Sequence, residues 1–113
     1  MPVGAPGQVT KYTAPTGINL ISGEVPSDYN LSQNYPNPFN PTTNIKFSIP
    51  TQGFVTLKVF NSLGKEVATL VNGNTNVGTY EVDFDAGSLT SGVYFYRLQS
   101  DNFTETKRMM LIK

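Results

Sequence analysis

From residue 44 onward, apolar and polar positions alternate in short runs broken by turn residues. Ile45, Phe47 and Ile49 face one way with Lys46 and Ser48 opposite, and Pro50 stops the run. Val55, Leu57 and Val59 form the next apolar row, with Thr56 and Lys58 across from it. Tyr80, Val82 and Phe84 alternate with Glu81, Asp83 and Asp85, the pattern of a half-buried strand. Val93-Tyr94-Phe95-Tyr96-Arg97-Leu98 is apolar on both faces as far as Arg97, as a central strand should be, with Tyr94, Tyr96 and Leu98 placed inward. Thr106 to Ile112 closes the series, Met109 and Leu111 on one face and Met110 and Ile112 on the other.

The connections are less uniform. Asn61-Ser62-Leu63-Gly64 supplies a hairpin loop in which Gly64 takes a positive φ, and Glu66 to Val71 returns. Leu63, Val67, Leu70 and Val71 fit a helical period, but Gly64 and Gly73 leave too few residues for a stable helix, so a strand with a bulge is expected. Asn72 to Gly78 and Ala86 to Gly92 are expected loops, and Asp101-Asn102 a turn. Ile18 to Ile21 is a short edge strand. With it the count is about seven antiparallel strands, which implies an all-β, immunoglobulin-like sandwich.

One segment fits neither strand nor helix. Tyr35-Pro36-Asn37-Pro38-Phe39-Asn40-Pro41-Thr42-Thr43 has three prolines at every second or third position, each fixing its own φ and restricting its neighbour. It is a stiff lead-in to the first long strand. Tyr35 and Phe39 are its best candidates for exposed rings, although such rings also tuck against a sandwich edge. Before it, residues 1 to about 16 are rich in Gly, Pro, Thr and Ala and form a linker. The expected division is 1–28 as linker or end of a preceding region, with one edge strand at 18–22, and 29–113 as the folded domain.

Composition narrows the chemistry. Eight basic and eight acidic residues cancel, which gives no electrostatic case for nucleic acid or an anionic membrane. Cysteine, histidine and tryptophan are absent, so disulfides, Cys/His zinc sites and His-dependent nucleophilic catalysis are out of reach. No run approaches the ~18 apolar residues of a membrane helix. The first residues lack a signal peptide's charged start and apolar run, so the chain is expected to be either a piece of a larger precursor or a cytoplasmic protein. We expect no enzyme, cofactor or metal.

Glu81, Asp83 and Asp85 place three carboxylates on one strand face, ~7 Å apart. Calcium binding and acid–base work are conceivable there, but a solvated face paired with lysines such as Lys46 or Lys58 is expected. The thirteen tyrosines and phenylalanines fit a core better than a glycan-binding face. Two glycosylation sequons, Asn30-Leu31-Ser32 and Asn102-Phe103-Thr104, are short enough to arise by chance. Lys107 to Lys113 is a last strand with charged ends, or one that a partner recognises through its edge and charges.

Taken together these stretches resemble the C-terminal sorting domain of bacterial type IX secretion cargo. The resemblance begins at Tyr29 to Asn34 and runs through Tyr35–Thr43 and Ile45–Pro50. It continues in Val59–Val67, Gly78-Thr79-Tyr80 and Leu89–Leu98, and ends in Thr106–Met109 and Leu111–Lys113. It implies a sandwich that ends a secreted precursor and is recognised, after Sec export to the periplasm, by the outer-membrane translocon. A sortase-like peptidase commonly removes such a domain, and the passenger is released or attached to the surface. The positions carried over as signal are Tyr35 to Thr43, Gly92, Val93 and Tyr94, and Lys107, Arg108 and Lys113, with cleavage before Tyr29. The competing readings are a structural spacer or adhesion module and, further off, a carbohydrate-binding module. A monomer is expected, or a dimer in which the Ile18–Ile21 strand is swapped.

Overall fold

A computed structural model describes residues 18–101 and 103–113. The linker expected over residues 1 to about 16, and Asn102, the acceptor of the second sequon and part of an expected turn, lie outside the described residues. The eight strands are β1 (Asn19–Ser22), β2 (Asn30–Leu31), β3 (Thr42–Ile49), β4 (Gly53–Asn61), β5 (Glu66–Thr75), β6 (Gly78–Asp85), β7 (Gly92–Ser100) and β8 (Phe103–Leu111). They form two antiparallel four-stranded sheets, ordered β1-β6-β3-β2 and β5-β4-β7-β8. This is the expected all-β sandwich, with one strand more than the hydrophobic pattern revealed. The extra one is β2, two residues long and so too short to alternate, which pairs Leu31 with Phe47.

The core lies between the sheets and follows the alternation. Ile45, Phe47, Ile49, Val55, Leu57, Val59, Val82, Tyr96, Leu98, Met109 and Leu111 are all almost completely buried. Burying a side chain of this size stabilises the fold by ~1.5–3 kcal/mol. Tyr80 is only half-buried, near the start of its strand, and stacks on Phe47 at 5.5 Å. β7 lies between β4 and β8, a central strand as its two apolar faces require.

β5 carries the expected bulge and a second one. Val71 pairs with Leu57 and Thr69 with Lys58, which leaves Leu70 as an extra residue; Ala68 pairs with Val59 and Glu66 with Phe60, leaving Val67 extra. Leu70 and Val71 are consequently both buried although adjacent. The expected loop over Asn72–Gly78 is corrected. β5 continues to Thr75 and pairs there with Gly53, so Asn76 and Val77 alone make the connection. Asn72 and Asn74 are exposed, which an edge strand allows because only one of its faces meets the core.

Two glycines shape the connections. Gly64 closes the β4–β5 hairpin at φ +85°, with Asn61 accepting from the backbone of Leu63 and Lys65. Gly78 opens β6 at φ +147°, and a Cβ there would lie 2.8 Å from the Ser22 carbonyl and 2.9 Å from Leu20 Cδ1. β1 can approach β6 only because position 78 has no side chain.

Candidate functional site

The proline-rich segment is a strap that leaves the β1-β6-β3-β2 sheet and crosses to the free edge of β8. Its start is held by Ser32, whose N–H donates to Lys46. Asn34, 2% exposed, holds the middle. Its side-chain amide donates to the Pro36 carbonyl and to the Thr43 hydroxyl, which itself donates to Pro36. Its backbone N–H donates to the Tyr96 hydroxyl at 2.8 Å, and that hydroxyl donates to the Ser32 carbonyl at 2.7 Å. Tyr96 stands on β7, so a single phenol ties the second sheet to the strap. Burial pushes that phenol up to about 12 against the lowering pull of the Asn34 hydrogen bond. The peptide bonds before Pro36, Pro38 and Pro41 are cis.

The end of the strap docks on β8 like a short added strand. Phe39 donates to the Met110 carbonyl and accepts from the Ile112 N–H. The Asn37 side chain accepts from Met110 N–H, and Gln33 donates to the Arg108 carbonyl at 2.7 Å. These contacts occupy the outer edge of β8 over residues 108–112. Phe39 is 1% exposed and lies 6.2 Å from Phe84, whereas Tyr35 is 80% exposed. Only one of the two candidate rings is therefore exposed. Tyr35 has its backbone fixed by reciprocal hydrogen bonds with Asn44, which leaves its ring in solvent.

The three stretches singled out in the sequence meet at this corner. Gly92 pairs with Leu111, Val93 with Met110 and Tyr94 with Met109, while the strap contacts the other edge of the same residues. Pro36, Asn37, Pro38 and Asn40 are exposed, and Pro41 accepts from Ala86 N–H. Thr42 and Thr43 already belong to β3, with Thr43 buried. Tyr94 is buried and donates to the Thr90 carbonyl. Lys107 pairs with Glu105 at 3.3 Å, while Arg108 is exposed and opposite Phe95. Lys113 donates its ammonium to the Gly87 and Leu89 carbonyls and its backbone N–H to Ser91. Sequence reasoning missed the anchors Gln33, Asn34 and Tyr96; the stretch Tyr29–Asn34 within the resemblance was the one signal for the first two.

The three carboxylates of β6 do face outward together. Asp83 accepts from the Asn44 side chain, Asp85 accepts from Gly87 N–H, and Glu81 is opposite Lys46. Lys58 is not available to them. It lies on the other sheet and pairs with Glu66 at 3.6 Å, whose carboxyl is held below its ordinary range first by the Thr69 hydroxyl and then by Lys58. Among the described residues, no three acidic side chains converge as metal ligands would.

The profile described as the secretion system C-terminal sorting domain matches residues 33–113, from the strap to the last residue of β8 and beyond. The chain belongs to that family. No curated protein matches it. As a type IX sorting domain it directs a passenger fused on its N-terminal side to the secretion machinery, and its cargo is secreted or displayed at the cell surface. The match includes every residue of the strap corner from Gln33 onward.

Proposed function

We propose that the strap and the last strand are recognised together, as one surface of the folded domain, by the outer-membrane translocon after passage through the periplasm. The observation that carries this is the docking of Asn37 and Phe39 on Met110 and Ile112, which joins segments more than seventy residues apart. Of the stretches Tyr35 to Thr43, Gly92 to Tyr94, Lys107, Arg108 and Lys113, the exposed members then form a single epitope, which the buried Phe39, Thr43 and Tyr94 hold in shape from beneath, and the domain acts as a recognition module without catalysis of its own. A sortase-like peptidase cuts on the N-terminal side of β2, in or before the exposed stretch 23–28, and the passenger is released or anchored.

The test is a Sec-targeted fluorescent reporter fused ahead of residues 17–113 in a bacterium with a type IX system. Reporter outside the outer membrane is expected for the intact domain. The Asn37→Ala and Arg108→Glu variants, checked for folding, are expected to leave it in the periplasm. Periplasmic retention of the intact fusion would favour a spacer module instead.

A further inference from the structure

Among the described residues Tyr35 is the most exposed aromatic ring, and it shares a cleft with a carboxylate. A cleft of about 330 Å³ is lined by Tyr35, Pro36, Thr42, Thr43, Asn44 and Asp83. The backbone of the cleft and its polar wall are held in place. Tyr35 and Asn44 exchange backbone hydrogen bonds, Thr43 is buried and bound to Pro36, and the Asn44 amide donates to Asp83 Oδ1 at 2.9 Å. Among the described residues, Asp83 Oδ2 has no partner and no cation covers the Tyr35 ring. Elsewhere the chain satisfies such a ring itself, with the Arg97 guanidinium 4.6 Å from the centre of Phe60.

We infer that this cleft binds a guanidinium group, an arginine side chain presented by a partner polypeptide. A planar guanidinium can lie on the Tyr35 ring while its N–H groups reach the open Asp83 oxygen, two interactions that a lysine ammonium combines less well. The surroundings favour a cation. The outward side chains of β3 and β6 include Glu81, Asp83 and Asp85 against Lys46 alone, so the local field is negative although the whole chain is neutral. The physiological source of the arginine rests on the reading of Tyr35 as part of the recognised motif. The binding itself does not, and it is measured on the purified chain without secretion machinery.

The experiment is a titration of the full 113-residue chain with acetyl-Gly-Arg-Gly-amide, followed by amide NMR. Saturable shifts of the Asn44 side chain and the Thr42 backbone are expected, with a millimolar dissociation constant. Asp83→Asn, and replacement of the arginine by neutral citrulline, should each weaken binding by about tenfold. Tyr35→Ala should weaken it severalfold, and Asp85→Asn should leave it nearly unchanged. Equal binding of citrulline or of a lysine peptide, or equal losses for Asp83→Asn and Asp85→Asn, would overturn the assignment. The amide spectrum of each variant reports whether it is folded. Sedimentation of the chain alone separates the sources of the arginine: a salt-sensitive dimer lost in Asp83→Asn assigns it to a second copy, and a monomer rules that copy out.

Discussion

At the residue scale, the Tyr96 hydroxyl is the group on which the strap depends most directly. Tyr96→Phe removes a donor from the Ser32 carbonyl and an acceptor from the Asn34 N–H. We expect a loss of ~1–3 kcal/mol in urea unfolding, because both backbone groups are then left without this partner. The phenol also sets an alkaline limit. Its pKa rises to about 12 in the fold from an ordinary 10, so the folded state holds the proton more tightly than the unfolded chain. The stability it contributes is complete below about pH 10 and is lost as pH climbs towards about 12. Urea midpoints should fall through that window, and fall less steeply in Tyr96→Phe. Alternation alone placed Tyr96 inward, but nothing in one sequence says where its hydroxyl ends. The same limit applies to Tyr35 and Phe39, two aromatics in equivalent proline-rich surroundings. One backbone bonds to β3 and the other to β8, and that tertiary choice decides which ring is buried.

At the scale of elements, β8 is an edge strand whose outer hydrogen-bonding groups are partly occupied by the strap. Asn37→Ala should speed exchange of the Met110 amide many-fold while global stability changes by ~1 kcal/mol or less, since only one exposed side-chain acceptor is lost. Phe39→Ala removes a fully buried ring and should cost ~3–5 kcal/mol in the same unfolding assay. The inward-facing Glu105–Lys107 pair and the strap are both ways of discouraging a second chain from pairing with this edge. The opposite edge shows where sequence patterning fails. Asn72 to Thr75 look like a loop because they carry no large apolar side chain, and only the pairing with β4 reveals them as strand. β1 depends on position 78. Gly78→Ala should cost ~1–3 kcal/mol and raise amide exchange selectively over Asn19–Ser22, as the new methyl group meets the Ser22 carbonyl.

For the whole molecule, the sandwich and its core were legible because inward residues such as Val55, Leu57 and Val59 alternate without exception. The recognition corner was legible only as separate pieces, since the meeting of Asn37 with Met110 depends on the return of the chain through β7 and β8. That meeting bears on any truncation experiment. Removing Thr106–Lys113 takes Met109 and Leu111 out of the core, and circular dichroism should then show loss of the cooperative transition rather than a folded domain lacking its address. β1 has a different consequence, a mechanical one. It is a four-residue edge strand with Leu20 and Ile21 largely exposed, joined to β2 by an exposed stretch, and the passenger lies on its N-terminal side. Tension arriving from the passenger peels β1 from β6 one hydrogen bond at a time, while the core is loaded only afterwards. Paying out residues 19–28 frees a stretch of at most about 33–36 Å when fully extended, a shock absorber between a pulled passenger and a domain held fast by its strap and last strand.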